Sequence, residues 1–188
     1  RQEMYERFTP MADEMGFILA IPHGTFETPS GSRFWSATDA CCNFGPSGSP
    51  DLGGSQPVGG YRIDNRARVD DSGYIRQLIK EIQSMYSVDP RRIYVTGHSN
   101  GGYMSHRMAC DHSDLLAGVA SLAGSTFEGV ISGQYDLPGV VVASGDYIDD
   151  MEDYTCSPTH PIHVLEVHGT GDTVVPYAGG RPNGNKTL

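Results

Sequence analysis

Two hydrophobic periodicities alternate along the chain. Met4, Phe8, Met11, Ala12 and Met15 recur at the spacing of one helix face, which predicts an amphipathic helix over roughly residues 2–15 with Gly16 as its C-cap. Phe17-Ile18-Leu19-Ala20-Ile21 follows at once and stops at Pro22, the pattern of a short buried strand. Tyr74, Ile75, Leu78, Ile79, Ile82, Met85 and Tyr86 mark the face of a stronger helix, with Asp70 or Asp71 placed to cap its N-terminus. Asp89-Pro90 makes a turn. Arg92–Thr96, Leu115–Leu122 and Ile162–Val167 are strand-like, and a further helix is predicted from about Tyr103 to Cys110. Strands alternating with helices predict an α/β fold: a mostly parallel sheet with helices on both faces, in one domain spanning residues 1–188.

Two stretches obey neither period. From His23 to Val69 the chain dissolves into Gly, Ser, Pro and Asn, too long for a simple connection, and reads as a functional loop region. It carries the only tryptophan, Trp35, close to Cys41 and Cys42. Residues 124–161 form a second loop excursion, whose acids Asp146, Asp149, Asp150 and Asp153 read as a solvated cluster. No apolar run is long enough to cross a bilayer, and no signal peptide is visible.

Composition narrows the classes. With 38% hydrophobic and 19% charged residues the chain has the makings of a packed core. Its 13 basic and 23 acidic side chains give a formal charge of −10, which repels phosphate backbones and argues against a nucleic-acid partner; no membrane partner is expected either. Four cysteines, Cys41, Cys42, Cys110 and Cys156, fit no metal spacing, and no metal site is expected. Disulfides of an exported protein suit them better: Cys110 with Cys156, leaving Cys41 and Cys42 to bond each other or a partner outside this stretch.

The chemistry concentrates at Gly97-His98-Ser99-Asn100-Gly101-Gly102. A G-x-S-x-G run between a β-rich segment and a helix is the nucleophile elbow of α/β-hydrolases, in which a strained turn lifts a serine above the sheet edge. The residues two before and two after must be small, and Gly97 and Gly101 are. Ser99 is therefore the expected nucleophile, and the Asn100 backbone N–H one oxyanion donor at the positive end of the helix. In this fold the acid follows the serine in the loop after a later strand, and Asp172 does so. The Asp70-Asp71 pair is read as structural.

A base is harder to place, because no histidine follows Asp172. Of the seven present, His98 points away from Ser99 by elbow geometry, His106 and His112 belong to the following helix and its end, and His160 and His163 flank the far end of a strand. His23 and His168 sit in Gly-containing bends and read as structural. The chain opens inside a helical pattern and stops at Thr187-Leu188 without a closing element. The expectation is a partial domain whose first strands, second oxyanion donor and catalytic histidine lie outside these residues.

Four segments together resemble a known group: W-S-A-T-D-A-C-C from Trp35, V-D-D-S-G-Y-I from Val69, V-D-P-R-R-I-Y-V-T-G-H-S-N-G-G from Val88, and H-G-T-G-D-T-V-V-P-Y-A-G-G from His168. They look like the poly(3-hydroxybutyrate) depolymerase and feruloyl esterase family, a branch of the carbohydrate esterases (family one), over about residues 16–180. The resemblance implies an α/β-hydrolase that is secreted or periplasmic, needs no metal or cofactor, and cleaves esters with Ser99 as nucleophile and Asp172 as acid. Its substrates would be feruloyl or acetyl polysaccharide esters, polyhydroxyalkanoate polyesters or small esters. Trp35 and Tyr103 are the candidate substrate contacts, and Tyr177 stands near the acid motif; core packing is the competing role for each. Two other functions share the fold: a serine exopeptidase using the same triad, and a non-catalytic relative that binds polysaccharide or a protein partner.

Overall fold

A computed structural model describes residues 7–27, 32–35, 37, 70–124 and 156–178 of the chain. Helix α1 covers Phe8–Met15 and ends as expected at Gly16, whose φ of 70° lets its N–H reach back to the Ala12 carbonyl. Among the described residues of its predicted apolar face only Ala12 is buried, while Met11 and Met15 are exposed. The Phe17–Ile21 run is not a strand. Phe17, Ile18 and Ile21 are exposed, and among the described residues no neighbouring strand completes a ladder with their backbone groups. Strands β1 (Thr25–Glu27) and β2 (Ser32–Phe34) form an antiparallel hairpin inside the stretch expected to be all loop. Residues 2–6 of the first predicted helix, the pair Cys41 and Cys42, and most of both excursions lie outside the described residues.

Helix α2 spans Asp71–Met85; Asp70 is its N-cap, with Oδ1 accepting from the Gly73 N–H at 2.8 Å. Strand β3 (Tyr94–His98) leads through the elbow into α3 (Asn100–Asp111), and β4 (Gly118–Leu122) and β5 (His163–Val167) complete a parallel sheet in the order β3-β4-β5. Helix α3 thus starts three residues earlier than its periodicity predicts, because the Gly-rich turn that interrupts the apolar pattern is already its first turn.

Burial follows the sheet register in β3 and β4, whereas β5 is exposed along its whole length. Gly97, Ser121 and Glu166 share one row, as do Val95, Val119 and Val164 one pleat back. This face carries α3: a Cβ on Gly97 would collide with the Gly101 backbone, and one on Gly102 would lie 2.8 Å from Ser121 Oγ. Only glycines allow the helix to sit that close. Tyr103, Met104, Met108, Ala109, Leu116 and Val119 form the centre of the core, with Ile75 from α2 and Val175 from beyond β5. The expected Cys110–Cys156 disulfide is present and ties the end of α3 to the segment before β5. No helix among the described residues is long and apolar enough to cross a membrane.

Candidate active site

Ser99 follows β3 directly and holds φ 54°, ψ −118°, a left-handed value that a non-glycine residue adopts only at a cost of about 1–3 kcal/mol. The surroundings enforce it. The Ser99 N–H donates to the Leu122 carbonyl at 2.8 Å, continuing the β3–β4 ladder one residue past the strand, while its own carbonyl accepts from the Tyr103 N–H at 3.1 Å as the first turn of α3. One residue therefore belongs to sheet on its N-terminal side and to helix on the other. This is the strained elbow that the glycine spacing predicts.

Asn100 opens α3, so its backbone N–H is among those a helix leaves without an internal partner. Its side chain clasps the chain before the first core segment: Oδ1 accepts from the Trp35 N–H at 2.7 Å, and Nδ2 donates to the Trp35 carbonyl at 3.0 Å. Trp35 is thereby fixed beside the elbow, half-buried and packed against the core. Of the two roles weighed for it, Tyr103 takes core packing. It is 2% exposed and lies within the core, so it packs under the site rather than lining an open cleft. Burial, with the Asp172 and Glu166 charges adding to it, pushes its phenol up to about 12.

Asp172 lies in the turn after β5, two strands from Ser99, which sets the two strand ends roughly 10 Å apart. That gap admits an imidazole between serine and acid. Asp172 Oδ1 accepts from the N–H groups of Val174 (2.8 Å) and Val175 (3.0 Å). These two bonds, the Val175 one first, hold its carboxyl below the usual range, with the His168 and His98 charges acting in the same direction. The carboxylate is therefore ionised at neutral pH, as an imidazole-orienting acid must be. Asp146, Asp149, Asp150 and Asp153 lie outside the described residues.

His168, His106 and His112 are each engaged by groups other than Ser99. His168 Nε2 donates to the Val175 carbonyl at 2.7 Å and stands 3.7 Å from Asp172 Oδ2; its Nδ1 is 3.3 Å from Glu166 Oε1. His106 Nε2 meets Glu166 Oε2 at 3.0 Å. His112 bridges Ser72 and Arg76 on the far side of α3. Glu166 has no part in the motif reading, although it is the one charge inside the Ile162–Val167 apolar run, and that was its only trace in sequence. Among the described residues no group of three or more His, Cys, Asp and Glu side chains is arranged to hold a metal ion.

Comparison with known proteins agrees with this frame. The model of the Prolyl oligopeptidase family matches residues 71–181, from the start of α2 to beyond the acid turn. Feruloyl esterase B of Piromyces equi is 37% identical over 111 residues, covering 59% of this chain and 17% of its own length. Poly(3-hydroxyalkanoate) depolymerase C of Paucimonas lemoignei is 39% identical over 54 residues, 29% of this chain and 13% of its own length. Probable feruloyl esterase C of Aspergillus clavatus is 31% identical over 112 residues, 59% of this chain and 32% of its own length. The chain spans less than a third of each of these relatives. Their names bear out the resemblance read from the four motifs.

Proposed function

The chain belongs to the prolyl oligopeptidase family, and from its elbow and its esterase relatives we propose that it carries the nucleophile and acid of a serine hydrolase acting on carboxylic esters. The observation that carries the reading is Ser99, held at positive φ where a parallel strand becomes the N-terminus of a buried helix. Strain there has no structural benefit; its use is to present the hydroxyl above the sheet edge.

In the proposed reaction Ser99 Oγ attacks the ester carbonyl while a histidine takes its proton. The oxyanion is held by the Asn100 N–H and a second backbone N–H. The same histidine returns the proton to the departing alcohol, leaving an acyl-Ser99 that water hydrolyses to the free acid. Asp172 orients the imidazole and stabilises its charged form. Trp35, clasped by Asn100, is the proposed wall for an aromatic acyl or sugar group. The relatives' names favour feruloyl esters and polyhydroxyalkanoates as the substrate class. No metal or cofactor has a part in this chemistry. The Cys110–Cys156 bond supports an exported, secreted or periplasmic protein.

The test is hydrolysis of a short p-nitrophenyl ester by the full-length protein and by Ser99→Ala. Loss of the nucleophile is expected to cost at least about 10³-fold in kcat. A variant that keeps the wild-type rate, or an inert wild type, removes the esterase reading, and an inert wild type leaves the exopeptidase and binding-protein ones. A second reading, a serine exopeptidase, is favoured by the family match itself. Faster turnover of aminoacyl amides than of esters would establish it.

A further inference from the structure

Outside the serine and acid, one polar group near the sheet edge is a histidine–carboxylate–histidine bridge, in which the two rings are buried and the Glu166 carboxylate between them is 36% exposed. Its location follows from the pleat. Glu166 sits in the row Gly97–Ser121–Glu166, on the face that α3 covers. Helix α3 approaches Gly97 and Ser121 through glycines, and one turn further on it meets Glu166 with His106. Residue 168 lies two positions after 166, so His168 leaves the strand towards the same side. Both rings are buried, with side chains 6% and 9% exposed, and the carboxylate spans them: Oε2 to His106 Nε2 at 3.0 Å, Oε1 to His168 Nδ1 at 3.3 Å.

His168 carries the connection onward. A carbonyl can only accept, so His168 Nε2 bears the hydrogen that it gives to the Val175 oxygen at 2.7 Å. The Val175 N–H in turn is one of the two that Asp172 Oδ1 accepts. Helix α3, which begins at Ser99, is thus joined to the acid turn by a continuous path: His106, Glu166, His168, Val175, Asp172. The acid turn itself is mostly exposed chain, with Gly169, Thr170 and Gly171 before the carboxylate and Thr173 and Val174 after it. Besides the path, the described residues hold the turn by the two bonds to Asp172 Oδ1, the Asp172 N–H donating to the Gly169 carbonyl at 3.1 Å, and the Val175 side chain in the core.

We infer that Glu166 is a positioning residue of the proposed active site, bracing the Asp172 turn against the nucleophile's helix through His106 and His168. This rests on the esterase reading for the role of Asp172, but the brace itself does not. With Nε2–H committed to Val175, the Glu166–His168 contact needs one hydrogen between Nδ1 and the carboxylate. A glutamine can supply the same contact from its NH₂ to Nδ1 while its carbonyl accepts from His106. An alanine supplies neither.

The experiment uses the full-length protein with Glu166→Gln and Glu166→Ala, assayed on a short p-nitrophenyl ester well below the unfolding temperature. Glu166→Ala is expected to lower kcat by about 10–100-fold, the cost of misplacing a catalytic group by about an ångström, with KM within about 2-fold of wild type. Glu166→Gln is expected to stay within about 3-fold of wild type in kcat, since it keeps the hydrogen bond to His106 and can keep the contact with His168. A Glu166→Ala protein with unchanged kcat and only a lower Tm makes Glu166 a packing residue and overturns the inference. A Glu166→Gln protein as slow as Glu166→Ala overturns it too. A second readout needs no turnover: ring ¹⁵N NMR of labelled histidine. The His168 signals should move in Glu166→Ala and hold in Glu166→Gln, with exposed His160 as the unmoved reference. If His168 does not respond to Glu166→Ala, there is no brace. If wild type turns over no ester while His168 does respond, the brace stands and the esterase reading falls.

Discussion

Ser99 and Gly97 are two halves of one geometric problem. The serine holds an unfavourable backbone at the end of β3, and the chain must then turn back into a helix within one residue. The Gly101 backbone consequently fills the space where a side chain on residue 97 would be. Backbone cannot move aside as the tip of a flexible side chain can. Gly97→Ala is therefore expected to destabilise the fold by at least about 2 kcal/mol, at the upper part of the overpacking range, and to disable the elbow with it. Thermal unfolding of the variant measures this; a Tm within a degree or two of wild type would mean that the elbow has slack. Such constraints are visible in sequence because they are local: glycine two residues either side of a serine, strand before and helix after. The Asn100 clasp on Trp35 was not visible, since its partners are 65 residues apart and neither type advertises the other.

Between elements, helices α2 and α3 are joined by polar groups that imitate an active site. Ser72 Oγ donates to Asp111 Oδ2 at 2.6 Å and stands 3.0 Å from His112 Nε2, a serine, histidine and aspartate within contact. The ring's other nitrogen decides what this set can do. His112 Nδ1 faces Arg76 Nη1 at 3.1 Å, and a guanidinium only donates. Nδ1 must then be the acceptor, which leaves the hydrogen on Nε2, pointing at Ser72. A nitrogen that already carries its hydrogen cannot deprotonate the serine, so the set is a clasp between helices. Ser72→Ala is expected to lower stability by about 1–2 kcal/mol through the lost buried bonds and to leave ester turnover near wild type. A denaturant midpoint beside a rate measurement checks both, and a collapse in rate without a fall in stability would reassign the site. At this scale the sequence was legible where apolar periodicity matched burial, as along α2 around Ile75 and in β4. It misled at Phe17–Ile21, where an apolar run has no neighbouring strand among the described residues, and in the hairpin β1–β2, whose strands of three residues are too short to show alternation.

For the whole molecule, chain order carried much of the reading: serine after one parallel strand, acid after a later one, on a common sheet edge. What chain order cannot show is how distant segments share charge, and this governs behaviour in acid. Asp114 receives a two-pronged contact from Arg76, at 2.9 and 2.8 Å, and the arginine's hydrogen bonds hold its carboxyl down at about 2 against an ordinary value of 3.8. Asp172 and Asp89 are lowered as well, each chiefly by backbone N–H groups. A carboxyl that binds its proton less readily when folded than when unfolded stabilises the fold at pH values above its unfolded value. That contribution is lost as pH falls through the folded one. Since the Asp114 and Arg76 side chains are 42% and 30% exposed, solvent screening limits the pair to about 1 kcal/mol or less. The expected result is a small gap in Tm between wild type and Asp114→Asn near about pH 6, constant down to about pH 4 and closing towards about pH 2. Thermal melts across that range check it. A gap that ignores pH would mean that Asp114 holds α2 to the end of α3 by shape alone, with its charge contributing nothing.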